Sequence, residues 1–128
     1  MKFGYIILYV NDVVQTIQWY QSTFGFNKKM LHESNQYAEL DTGSTVLAFV
    51  SLQFASSNLG RKVIMPDKEH PSFEIAFITE DVKYAFENAV AGGARPLAEP
   101  QKKPWGQMVA YVQDINGFVI ELASPIAG

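Results

Sequence analysis

The 128-residue chain has no cysteine. That excludes a disulfide framework, a thiolate nucleophile and any cysteine metal site. Basic runs are missing as well. None exceeds Lys28-Lys29 or Lys102-Lys103, and the net charge is −3 with a pI near 5.3. This balance argues against a nucleic-acid partner, whose phosphates need clustered cations. No stretch approaches the ~20 apolar residues of a membrane span. The N-terminus lacks the basic, apolar and small-residue order of a signal peptide. The expectation is a cytoplasmic protein with no membrane partner. Histidine is scarce, limited to His32 and His70.

What is present suits a folded domain. Apolar residues make up 48% and charged residues 18%, a globular balance. Nine Phe, six Tyr and two Trp must fill a core or line a pocket. Phe3 to Val10 reads as a strand with both faces covered. Asp12 then caps a helix whose apolar face is Val13, Ile17, Tyr20 and Phe24, and Gly25 stops it. Three strands follow, over 27–33, 37–41 and 45–51. Residues 53 to 71 hold Ser56-Ser57-Asn58, Gly60, Pro66 and Pro71 without periodicity and read as a functional loop or linker.

The plan then repeats. Strand 73–79 leads into a helix opened at Glu80-Asp81 with Val82, Phe86, Ala89 and Val90 on one face, ended by Gly92-Gly93. A short strand over 95–98, a Pro-rich loop with Trp105, and strands over 108–113 and 118–123 complete it. Tyr9-Val10-Asn11-Asp12-Val13 matches Ile78-Thr79-Glu80-Asp81-Val82, and the Thr42-Gly43-Ser44 turn matches Ile115-Asn116-Gly117. The expected fold is α+β: two βαβββ modules, 1–52 and 72–128, joined by 53–71 in one pseudo-two-fold domain.

Strand alternation assigns faces. Ile6, Leu8 and Val10 oppose Tyr5, Ile7 and Tyr9. Phe73, Ile75 and Phe77 oppose Glu74, Ala76 and Ile78. Phe118, Ile120 and Leu122 oppose Val119, Glu121 and Ala123. The larger apolar sets suit the helices. The other face carries Glu74 and Glu121. A carboxylate in an apolar strand needs a partner or a site. Three roles stay open for this pair: bonding to neighbouring polar groups, binding a polar or cationic ligand, and acid/base chemistry. By the repeat, Glu74 is equivalent to Tyr5 and Glu121 to Ala48.

The chain resembles the vicinal oxygen chelate superfamily of glyoxalases, bleomycin-resistance proteins and dioxygenases. The resemblance rests on Asp12-x-x-x-Thr16-x-x-Trp19-Tyr20-x-x-x-Phe24-Gly25-Phe26, on Glu74-Ile75-Ala76-Phe77 and on Asp114-Ile115-Asn116-Gly117-x-x-x-Glu121-Leu122. It implies βαβββ modules curling around a cavity, commonly in a dimer. It also implies that Tyr5, Ala48, Glu74 and Glu121 occupy the four convergent positions that carry His or Gln, Glu, His and Glu in metal-dependent members. Only Glu121 keeps a ligand identity. No metal and no other cofactor is therefore expected. In bleomycin-resistance-like members a loop like that of Trp105 supplies an aromatic wall.

The resulting expectation is a metal-independent binder of a small molecule, such as a bleomycin-type antibiotic, acting as a homodimer. Its ligand-binding residues would be Tyr5, Tyr9, Ala48, Glu74, Trp105 and Glu121, with Tyr37 and Phe54 extending the lining. No catalytic residue is assigned. The alternative is a lyase, isomerase or dioxygenase of the same superfamily using a divalent metal. His32 and His70 are expected on the surface, and Trp19-Tyr20 in packing.

Overall fold

Eleven elements appear in a computed structural model, which describes residues 1–126. In chain order they are β1 (Tyr5–Val10), α1 (Val13–Phe24), β2 (Asn27–Leu31), β3 (Tyr37–Asp41), β4 (Val46–Ser51), α2 (Leu52–Leu59), β5 (Glu74–Ile78), α3 (Val82–Ala91), β6 (Arg95–Lys102), β7 (Met108–Gln113) and β8 (Val119–Ala123). They form two compact units, one ending at Met65 and the next beginning at Pro66. Each unit has one four-stranded sheet, ordered β1-β4-β3-β2 and β5-β8-β7-β6. The first strand pairs parallel with the last in both, and the other pairs are antiparallel. The two βαβββ modules of an α+β fold are present as the sequence led one to expect.

The shared connection explains why both helices start alike. Asp12 Oδ1 accepts from the Gln15 amide at 2.9 Å, and Asp81 Oδ1 accepts from the Tyr84 amide at 3.0 Å. Each carboxylate satisfies one of the amides that a helix start leaves unpaired, and it favours the positive end of the helix dipole. α1 ends at Gly25, whose φ of 77° is a left-handed conformation costly for other residues.

In the first unit, Val13, Thr16, Ile17 and Tyr20 of α1 are buried over Leu8, Val10, Leu40, Leu47 and Phe49 of the sheet. Tyr20 and Phe49 pack with tilted rings whose centres lie 4.9 Å apart. In the second, Val82, Phe86 and Ala89 of α3 cover Ala110, Val112, Ile120 and Leu122. Burial of large apolar chains, at roughly 1.5–3 kcal/mol each, commits one face of each sheet to its helix. The opposite face is left to carry a site.

Two stretches differ from the sequence reading. Residues 53–59, expected in an irregular loop, belong to α2, which begins at Leu52. Ser51 caps it by accepting from the Phe54 amide at 3.1 Å, and Gly60 ends it. Ser56, Ser57 and Asn58 mask the helix because their side chains compete for backbone bonds. Strand β6 runs on to Lys102 rather than stopping near Ala98. Its prolines are tolerated because it lies at a sheet edge and is irregular between Pro96 and Gln101.

The β7–β8 turn is tighter in detail than an Asn-Gly pair suggests. Among the described residues only Asn35 combines positive φ with a side chain. Asn116 therefore turns without it, and Gly117 alone takes φ 96°. Asp114 Oδ1 accepts from the Asn116 and Phe118 amides at 2.8 and 2.9 Å. A side chain at Gly117 would also strike the Lys68 stem, 2.7 Å from its first carbon. Buried Gln113 donates from Nε2 to the Lys68 carbonyl at 2.8 Å, tying the 66–72 loop to this turn.

Candidate functional site

In the second unit, register puts three side chains in one row across the sheet face away from α3. Ala76 pairs with Glu121, and Glu121 with Tyr111. Glu74, two residues before Ala76, shares that face. The Tyr111 hydroxyl donates to Glu121 Oε1 at 2.8 Å. That bond is the main reason the Tyr111 phenol is pushed up to about 12, with partial burial and the charges of Glu121 and Glu74 adding to it. Partial desolvation raises the Glu74 carboxyl above its ordinary value, and its hydrogen bond to Glu121 and the latter's charge raise it further. Glu74 therefore holds its proton to higher pH than an isolated glutamate does. Chemically this face offers two carboxyl groups and a phenol within one hydrogen-bonded group.

The first unit presents an aromatic counterpart. Tyr5, Ile7 and Tyr9 of β1 face the same way as Val46, Ala48 and Val50 of β4 and Tyr37 and Glu39 of β3. Tyr37 donates to Glu39 Oε2 at 2.7 Å. Its phenol is raised well above the ordinary range, first by burial, then by that bond and the carboxylate charge, with a smaller push from Tyr5. After Ser51 the chain turns back as α2 and roofs this face. The result is a cavity of about 250 Å³ lined by Ile7, Tyr9, Tyr37, Val50, Ala55, Asn58 and Leu59.

The residues singled out in the sequence fall as follows. Tyr9 lines the α2 cavity. Tyr5 is half exposed on the same sheet face, and Ala48 is wholly buried between Ile7 and Glu39. Glu74 and Glu121 meet on the second sheet. Trp105 is exposed in the β6–β7 turn, and its Nε1 donates to Gln107 Oε1 at 2.8 Å. Gln107 in turn donates to the Ser124 carbonyl, so Trp105's bonds run to its own turn and not to Glu74 or Glu121. Phe54 stands on α2 but outside the cavity lining. Both histidines are solvated: His32 Nδ1 bonds Ser34 Oγ at 2.7 Å, and His70 Nδ1 bonds Asp67 Oδ2 at 3.0 Å. The bond from His70 holds the Asp67 carboxyl below its ordinary value.

Sequence reasoning missed Tyr111, Glu39, Asn58 and Leu59. Glu39 was legible, since it alternates with Ala38 and Leu40. Tyr111 needs the β7–β8 register, and Asn58 and Leu59 need α2.

The donor set does not fit a catalytic transition metal. Among the described residues no group of three or more His, Asp and Glu side chains gathers at ion-binding spacing. Glu74 and Glu121 bring no imidazole, the nitrogen ligand that borderline cations favour.

With the geometry in hand, the class of protein follows. Residues 2–122 match the Glyoxalase/Bleomycin resistance protein/Dioxygenase superfamily, and the chain belongs to that family. Among its relatives is a Bacillus subtilis (strain 168) protein, "Uncharacterized protein YraH". It is 26% identical over 124 residues, covering 95% of this chain and 97% of that protein. A glyoxalase-related enzyme from Fulvimarina pelagi superposes with a TM-score of 0.83 at 22% identity, over 98% of this chain and 88% of that one. A family enzyme from Burkholderia phytofirmans PsJN gives 0.78 at 20% identity, over 99% and 100%. At such identities the superpositions speak for the fold and not for a reaction. Among the described residues no helix is long and apolar enough to cross a membrane.

Proposed function

We propose that this chain binds a small organic molecule without a metal, in the manner of bleomycin-resistance-like members, as a cytoplasmic homodimer with no nucleic-acid partner. The observation that carries the reading is the Glu74, Glu121 and Tyr111 group, where two carboxyls and a phenol stand hydrogen-bonded without imidazole. Such a group favours cationic or hydrogen-bond-donating ligands, and the tyrosines of the first sheet add aromatic area. An aromatic cation or a cationic glycopeptide antibiotic has the matching chemistry. Ligand contact by Tyr5, Tyr9, Ala48 and Trp105 belongs to the same proposal.

The test is a thermal-shift panel of cationic aromatics and glycopeptides, paired with elemental analysis of protein purified without chelator. A true ligand at a hundred times its Kd stabilises the fold by about 2.7 kcal/mol. Glu121→Gln is expected to weaken that ligand by about tenfold or more. Stoichiometric transition metal that leaves with Glu121→Gln would replace this reading with the rival one. That rival is a metal-dependent lyase, isomerase or dioxygenase of the same superfamily.

A further inference from the structure

The cavity under α2 has a chemistry of its own. Its floor is sheet: Ile7, Tyr9, Val50 and Tyr37. Its roof is one face of α2, since Ala55, Asn58 and Leu59 recur at i, i+3 and i+4. A volume of about 250 Å³ lies just under the usual range of roughly 300–1,000 Å³ for small-molecule sites. It admits one or two fused rings and no larger body. Aliphatic side chains from Ile7, Val50, Ala55 and Leu59 suit the two faces of a flat ring.

The polar rim is directional. The Tyr37 hydrogen is committed to Glu39 at 2.7 Å. Burial and the neighbouring carboxylate keep that hydrogen in place across the neutral range. The hydroxyl therefore turns lone pairs, not a hydrogen, toward any further partner. Its acceptor strength is increased by donating to a carboxylate. A second polar group, the Asn58 amide, comes from the roof.

We propose that the α2 cavity takes a flat one- or two-ring group bearing an N–H or O–H donor, which bonds the Tyr37 oxygen, while Asn58 and Leu59 select the ring. This deepens the binding role proposed above, yet it does not depend on the Glu74–Glu121 face. A ring without a donor would leave the polarised Tyr37 oxygen desolvated and unmatched, which is the basis of the selection.

The experiment is a ¹⁵N-edited NMR titration of the full chain with 2-naphthol and with 2-methoxynaphthalene, which share the ring and differ only in a methyl group replacing the hydroxyl hydrogen. Amides of residues 52–59 and those around Tyr37 and Val50 are expected to shift with 2-naphthol. The methoxy compound should bind about tenfold more weakly. Tyr37→Phe should remove most of that preference while the ring still binds. Leu59→Trp, at a position 55% exposed, should block both probes without lowering the melting temperature. Asn58→Leu offers a second test at the roof and is expected to change the affinity for both naphthyl probes, and unchanged affinity would remove Asn58 from the site. Shifts confined to residues beyond Pro66 would overturn the inference and leave the binding role standing. Equal affinity for the two probes, or no binding of either, would also overturn it. The Glu121→Gln and metal measurements judge the broader reading separately.

Discussion

Glu74 contributes to how the second unit answers pH. Its carboxyl is raised above the ordinary 4.5, chiefly by desolvation and then by Glu121. A raised acid means that the folded state holds its proton to higher pH than the unfolded chain does. Its stabilising contribution is present below the ordinary value and is lost as pH climbs through the folded one. Glu74→Gln keeps a donor toward Glu121 and cannot ionise. Thermal melts should therefore show the variant more stable than wild type at pH 8, with the gap closing by pH 4. A gap that widened toward acid would contradict a raised Glu74 carboxyl. At this scale Glu121 was legible from its place between Ile120 and Leu122, because an acid there needs a reason. Tyr111 was not, because its role exists only once β7 and β8 lie in register.

Among elements, α2 is the one that turns a bare sheet face into a cavity. It is two turns long, with Ala55 as its buried residue, so it leans on its caps. Ser51→Ala should cost about 1 kcal/mol at that helix start. Amide hydrogen exchange should quicken across residues 52–59 and leave α1 unchanged. α1 and α3 announced themselves through an Asp cap, an apolar face and a closing glycine. α2 carries a serine cap and Gly60 too, but eight residues with three small polar ones give little periodicity to read. Strand β6 was shortened in the reading for a related reason. Proline argues against a strand interior, and only its place at the sheet edge permits Pro96 and Pro100.

At the level of the molecule, the unit seen twice sets the expectations. Each unit spends one sheet face on its helix and leaves aromatic or acidic side chains on the other. Tyr5, Ile7 and Ile78 stay exposed on those faces, up to 62% for Ile78. Exposed apolar groups of this size on a sheet face suit the proposed homodimer. Sedimentation equilibrium at roughly micromolar concentration, well above the Kd of a stable dimer, should therefore return twice the 14.3 kDa chain mass. A single-chain mass at all concentrations would remove the dimer from the proposal.

The amino-acid order by itself determined the repeat, the capped helices, the strand faces and the conspicuous acids. Those features follow from local rules: period, capping, turn chemistry and the cost of a charge within an apolar strand. Tertiary structure decided which of them touch. The pairing of Glu121 with Tyr111, the Tyr37 to Glu39 bond, and the roof that α2 lays over Tyr9 and Val50 all depend on strand register and chain reversal. Register is a long-range property. It is settled by burying the helices against one face of each sheet, and the chemistry of the other face follows from it.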